Sequence, residues 1–181
     1  MISDAKMPGF RVLVKSDLAR LGGVSLASFM RHYFLPRGGT FPYVFWLRVE
    51  QCLRRGGLFK RFWGAVFYPI YRHYEFKYGI HANPNARIGP GLLVVHGDCV
   101  YLNCECIGKN LTVYQGVTIG DNDYKKPVVG DDVTIFSHAI VVGDIILGDN
   151  CVVGALSYVS KDVEPGQRVC GAPARVMESK R

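Results

Sequence analysis

Apolar residues recur every six positions from Val128 to Val159, VVGDDVTIFSHAIVVGDIILGDNCVVGALSYV. Val129, Ile135, Val141, Leu147, Val153 and Val159 make one column of branched aliphatics. Val133, Ala139, Ile145, Cys151 and Ser157 make a second column of small or apolar residues. A period of six fits neither the 3.6 of a helix nor the 2 of an ordinary strand. One apolar anchor per hexad is the pattern of a parallel β-helix, in which about three hexads, roughly 18 residues, complete a turn. The anchors then stack inward as one continuous core. Gly-Asp and Gly-Asp-Asn steps suit the corners, where the backbone needs permissive φ values. A β-sandwich would need six anchors in phase by coincidence.

The same period extends upstream. Ile88, Val94 and Val100 are six apart, and so are Ile107, Val113 and Ile119, with Leu111 and Val117 in the second column. The step of seven between Val100 and Ile107 predicts an irregular corner. The step of ten from Ile119 to Val129 leaves four extra residues, which predicts an extruded loop over 120–127 (GDNDYKKP). Loops thrown out of a solenoid often carry its specificity. The chain leaves the repeat after Val159, turns at Pro165-Gly166, and passes through GAPARV (171–176) to a polar end.

Before the coils the pattern turns helical. Ser16-Asp17 reads as a helix cap, Gly22-Gly23 as a break, and Ser25 as the cap of a helix ending before Pro36. Residues 36–42 read as a loop. Residues 43–78 read as two or three helices, broken at Gly56-Gly57 and near Pro69. The fold class is therefore mainly β: a parallel β-helix over 81–181 preceded by a helical, aromatic and basic region over 1–80.

Composition changes this picture in two places. With 181 residues and 49% apolar content, the chain makes one domain, or one domain with a sizeable extension. A net charge of +7 favours anionic partners: a phosphorylated cofactor, an anionic membrane surface or nucleic acid. No nucleic-acid module is visible, so nucleic acid is set aside. Aromatic and basic residues interleave over 41–78, which leaves two readings open. These helices lie in a membrane interface, or they pack on the β-helix or a sister subunit. The six cysteines lack zinc-ribbon spacing, and no metal site is expected. The first ten residues lack an apolar stretch, and no segment reaches the roughly 18 apolar residues of a span. The expectation is a cytoplasmic protein, peripheral at the inner membrane face if its helices bind lipid.

His96 stands out among the five histidines. It interrupts the first coils in VVHGDC, and an imidazole is a natural general base for a hydroxyl acceptor. A corner histidine without a chemical role is the competing reading.

Ile88 to Val176 resembles the hexapeptide-repeat acyltransferases, specifically the serine O-acetyltransferase branch. The carrying motifs are IGPGLLVVHGDCVYLN (88–103), IGKNLTVYQGVTIGDN (107–122), VVGDDVTIFSHAIVVGDI (128–145) and GAPARV (171–176). The resemblance implies a left-handed parallel β-helix, a homotrimer that in some members pairs into a dimer of trimers, and acetyl-CoA in the groove between coils. It implies that His96 takes the proton from the acceptor hydroxyl. Gln115, Gly116 and Thr118 match the stretch beside the pantetheine arm. Ser137 and His138, after Phe136, fall where the family carries small residues beside CoA, and Gly154 and Ala155 join that set. Gly171, Ala172, Pro173 and Arg175 match the family's turn along the CoA groove, with Arg175 near the anionic donor.

Two departures fall on the acceptor side. Where the family has Asp-Ile-His-Pro, with the Asp orienting the catalytic histidine, this chain has His81-Ala82-Asn83-Pro84. Asp98 or a main-chain carbonyl is then the candidate orienting group. Where the family has Arg-His-Pro in the extruded loop, this chain has Lys125-Lys126-Pro127. SDLARLGG, FPYVFWLRV and KYGI look like the capsule and exopolysaccharide acetyltransferases. The resulting expectation is an acetyl-CoA-dependent O-acetyltransferase acting on a sugar hydroxyl in surface polysaccharide synthesis. The alternative is a serine O-acetyltransferase of cysteine synthesis. A γ-type carbonic anhydrase lacks its His-x4-His spacing here. A non-catalytic trimeric scaffold leaves His96, the loop and the GAPAR turn without a purpose.

Overall fold

The computed structural model describes residues 7–35, 39–123 and 125–177. Four helices, α1 (Phe10–Ala19), α2 (Leu26–Phe34), α3 (Phe41–Arg54) and α4 (Leu58–Tyr78), precede a three-faced parallel β-solenoid of about five turns. The first face stacks Ile80–Ala82, Val100–Leu102, Thr118–Gly120, Ile140–Val142 and Tyr158–Val159. The second stacks Arg87–Ile88, Cys106–Ile107, Val128–Val129 and Ile146–Leu147. The third stacks Leu93–Val94, Thr112–Val113, Thr134–Ile135, Val152–Val153 and Arg168–Cys170, closed by the antiparallel strand Arg175–Val176.

Both columns point inward. Val129, Val133, Ile135, Ala139, Val141, Leu147, Cys151 and Val153 are fully buried. The first face stays in register across the four inserted residues, with Thr118 paired to Ile140 and Ile119 to Val141. The insertion folds as a small hairpin closed by Asn122 and Lys125.

The irregular corner is not where the column pattern placed it. Leu102, not Val100, is in register with Ile119. The two extra residues sit between Val94 and Leu102, in the corner His96–Cys99, and the next corner is one residue short. Asp98 and Cys99 take left-handed φ values of 74° and 55°, which absorb the insertion. A six-residue count cannot see this, because Val100 and Leu102 are both buried.

At the corner between the second and third faces, Asx side chains make a ladder. Asp131 Oδ1 accepts from Lys109 N at 2.8 Å, and Asp149 Oδ1 accepts from Asp131 N at 2.7 Å. Each such corner begins with a glycine. A Cβ on Gly108 would lie 2.6 Å from the Gly130 carbonyl oxygen, so the coils approach too closely for a side chain. Gly108→Ala is expected to destabilise the chain by about 1–3 kcal/mol, as other overpacked sites do. Urea unfolding checks this, and an unchanged midpoint contradicts the close-packed corner.

The helices differ from expectation at three points. Asp17 is not a cap: it lies inside α1 and is buried. Pro69 does not break α4, which runs on to Tyr78. Its ring sits on the exposed side, where water can satisfy the carbonyl that loses its partner. The expected loop 36–42 gives way to helix at Phe41, with a proline in the first turn; residues 36–38 of it lie outside the described residues. Ser25 does cap α2, its Oγ accepting from Ser28 N at 3.1 Å.

Helices and coil are tied by one buried ion pair. Arg48 of α3 meets Asp17 of α1 at 2.8 Å, with both side chains sealed from solvent. Arg48 also donates to the carbonyls of Ile88 and Gly89, and Asp17 accepts from Gly91 N and Leu92 N. The charges at the junction are thereby hydrogen-bonded on several sides, which is the condition for tolerating buried charge.

Candidate active site along one edge of the coil

The edge between the third and first faces carries the candidate residues. His96 is exposed on its enlarged corner. That corner is held from above by α4: Asp98 N donates to the Tyr78 carbonyl at 2.8 Å, and Val100 N to the Gly79 carbonyl at 3.0 Å. Gly97 is required here, since a Cβ would meet the Tyr78 oxygen at 2.5 Å. Two consecutive non-glycine residues in the left-handed region store backbone strain. Asp98 makes no hydrogen bond to the His96 ring among the described residues; its main chain, not its carboxylate, shapes the corner.

Below His96 the candidates follow coil by coil. Gly116 N donates to the Asp98 carbonyl, His138 N to Gln115, and Leu156 N to Ser137, each at 3.0 Å. The His138 ring lies over Gly116, where a Cβ would come 2.2 Å from Nδ1. Phe136 stacks on Tyr114 with centroids 5.0 Å apart. Gly154 leaves room for Cys170, and Ala155 is exposed. Gly171 continues the line, its carbonyl accepting from Tyr158 N and its own N donating to Ser157 Oγ. Ala172 and Pro173 are exposed beyond it, and Arg175 lines an open cleft of about 340 Å³ with Tyr158 and Lys161. From His96 to Gly171 is four coil steps, roughly 19 Å at the usual strand spacing. Thr118 stands apart from this line, on the first face between Tyr101 and Ile140.

The edge suits an elongated, amide-bearing, anionic donor. Gln115 Oε1 is shielded from solvent and has no hydrogen-bond partner among the described residues, so the edge holds an unmet acceptor. Among the described residues, Arg175 bonds only its neighbour's carbonyl, that of Ala174, which leaves guanidinium donors for a phosphate.

The acceptor-side residues lie on the first face. His81 Nδ1 is 3.2 Å from Glu75 Oε1, and its ring stacks on Tyr101 with centroids 4.7 Å apart. Glu75 is buried and also pairs with Arg72. Tyr71, whose hydroxyl donates to the Ala82 carbonyl at 2.7 Å, has its pKa raised chiefly by burial. An open groove is lined by Glu75, His81, Asn83, Tyr101 and Asn103. Lys126 is half-buried at the far corner of the first face, after the extruded hairpin, so one chain does not unite it with His96. Glu75 and Tyr101 escaped the sequence reading. The signal for Glu75 was available: it is the sole carboxylate of a 21-residue aromatic, basic helix. Burial pushes the Cys104 thiol up to about 12, so it is inert, whereas Cys99 is exposed on the His96 corner.

Residues 126–161 match the family model "Bacterial transferase hexapeptide (six repeats)". Over these residues the parallel β-solenoid carries hexapeptide repeats similar to those of bacterial transferases. Among curated relatives, the serine acetyltransferase of Staphylococcus aureus (strain N315) is 37% identical over 109 residues, covering 58% of this chain and 51% of the relative. That of Bacillus subtilis (strain 168) is 39% identical over 108 residues, covering 57% and 50%. The chain spans about half the length of the curated relatives it matches. Among solved structures, soybean serine acetyltransferase complexed with serine has a TM-score of 0.76 at 28% identity, covering 94% of this chain and 70% of that one. Serine acetyltransferase of Neisseria gonorrhoeae in complex with serine has a TM-score of 0.75 at 25% identity, covering 93% and 69%. The hexapeptide-repeat coil and its helical approach are thus shared with these enzymes. The resemblance to capsule acetyltransferases has no counterpart among them.

Proposed function

We propose that this chain is an acetyl-CoA-dependent O-acetyltransferase with His96 as its general base. The observation that carries this reading is the exposed His96 on a strained, enlarged corner at the head of a line of residues ending in the GAPAR turn. Acetyl-CoA supplies an activated thioester carbonyl. His96 takes the proton of the acceptor hydroxyl, Gln115 receives an amide of the donor's arm, and Arg175 receives phosphate. The alkoxide attacks the carbonyl, backbone N–H groups hold the oxyanion, and the thiolate of CoA leaves.

Serine is the acceptor that the relatives support. A sugar hydroxyl is the second reading, favoured by His81 and Lys126 where the serine enzymes carry Asp and His. The chain works as a homotrimer. Tyr101, Ile140 and Tyr158 form an exposed column on the first face, and a second copy seated there brings the remote corners together.

The acceptor is decided by release of free thiol from acetyl-CoA, measured with L-serine and separately with a panel of sugars. Turnover with serine supports the first reading; turnover with sugars alone supports the second; none with either sinks the enzyme. Glu75→Gln, which loosens His81, is expected to raise the acceptor KM about tenfold, the worth of one hydrogen bond to a charged group, with the acetyl-CoA KM unchanged. An equal rise in both KM values removes Glu75 from the acceptor side.

A further inference from the structure

The helical region has an unusual charge arrangement. Residues before Ile80 hold 13 Lys and Arg against four Asp and Glu, while the rest of the chain holds nine against 11. The positive charge of the protein therefore resides in the region before the coil. Burial sharpens this. Every described carboxylate there, Asp17, Glu50 and Glu75, is buried, so the exposed charge of the described helices is all positive. Burial also holds the Glu50 carboxyl above its ordinary pKa, against the pull of Arg54.

The two aromatic helices do different things. In α3, Tyr43, Val44 and Leu47 are buried in the shared core, and Trp46 packs against Phe67 and Tyr74 of α4. The outer side of α4 packs on nothing described. Leu58 is 86% exposed, Phe59 75% and Phe62 63%, and Trp63, Val66 and Ile70 are also exposed. At 100° per residue these six occupy an arc of roughly 140° over the first half of the helix. Lys60 and Arg61 flank that arc on its two sides. Both are exposed, and neither has an ion-pair partner among the described residues. Arg61 further lines a cleft with Arg54, Tyr68 and Asn85. No described helix is long and apolar enough to cross a membrane.

We propose that the outer face of α4 binds an anionic lipid surface, with Leu58, Phe59, Phe62 and Trp63 in the interface and Lys60 and Arg61 against headgroup phosphates. An apolar aromatic stripe edged by cations is the composition of an interfacial helix. Charge selects lipid over a second copy of this face. Two such faces would bring Lys60 and Arg61 against their own kind with no exposed carboxylate on the described helices to offset them. The α3 helix takes no part, because its apolar residues already have partners.

The test is sedimentation of the full chain with vesicles of phosphatidylcholine alone or mixed with phosphatidylglycerol, with oligomeric state followed by light scattering. The wild type is expected to bind the mixed vesicles and to be released by salt. K60Q/R61Q is expected to bind them about 30-fold more weakly, from about 1 kcal/mol per basic residue near the surface. Phe59→Ser with Phe62→Ser is expected to abolish binding while the circular dichroism and thermal melt stay as in the wild type. Failure of the wild type to bind mixed vesicles overturns the proposal. So does a smaller oligomer in the serine variant with lipid binding retained, which assigns the face to a second copy.

Discussion

On the proposed mechanism, replacing His96 with alanine is expected to lower acetyl transfer by about two to four orders of magnitude, the range set by loss of a positioned general base. The fold survives, because the ring is exposed and forms no hydrogen bond among the described residues. Surface changes away from caps and buried networks stay within about 0.5 kcal/mol. The corner itself is built from the main chain of Gly97, Asp98 and Cys99 against Tyr78 and Gly116. The expected result is therefore retained affinity for acetyl-CoA with transfer lost. Asp98→Ala separates the two parts of the corner: with its carboxylate away from the ring, it costs stability through the left-handed φ of 74° more than it costs the chemistry. The measurement is transfer rate beside donor affinity for each variant. Normal turnover by His96→Ala removes this residue from the mechanism.

Arg48→Ala is the largest expected loss of stability. It strands the Asp17 carboxylate at a site where both partners are sealed from water, and it strips hydrogen bonds from the Ile88 and Gly89 carbonyls. Removing one partner of a buried pair costs about 3–5 kcal/mol, a large share of the roughly 5–15 kcal/mol that holds a domain together. Asp17→Ala is similarly severe, since the amides of Gly91 and Leu92 lose their acceptor. Because the two share one network, the double variant costs less than the sum of the singles. Urea unfolding of the three proteins checks this. A loss below about 1 kcal/mol for Arg48→Ala means that the junction holds without its ion pair.

The coil was legible because its physics is periodic. Each hexad buries one anchor, so the spacing from Val129 to Val159 is enough to announce three faces. The inserted hairpin was legible for the same reason: four residues beyond the period must leave the coil. The His96 corner was misplaced because the period records burial, and Val100 and Leu102 are both buried. Gly97-Asp98 is of a type that tolerates a left-handed turn, but the second strained residue, Cys99, leaves no mark, because cysteine does not signal one. The Arg48–Asp17 pair was hidden for another reason. It joins residues 31 apart through a tertiary junction; locally Asp17 reads as a helix cap and Arg48 as one of several basic residues among aromatics. The line from His96 through Gln115 and Ser137 to Gly171 came from resemblance in sequence. The hydrogen bonds of successive corners then place these residues on one edge, leaving Thr118 and Lys126 elsewhere.

The acetyl donor is held, on this reading, along the edge from His96 to Gly171. Titration calorimetry of acetyl-CoA into the wild type and into Ala155→Trp tests that most directly. Ala155 is exposed midway along the edge, between Ser137 and Gly171, and an indole there fills the line without entering the core. The expected result is binding by the wild type and a loss of about tenfold or more in the variant, at least about 1.4 kcal/mol, with an unchanged thermal melt. Equal affinity in the two proteins would contradict it and move the donor to another edge of the coil.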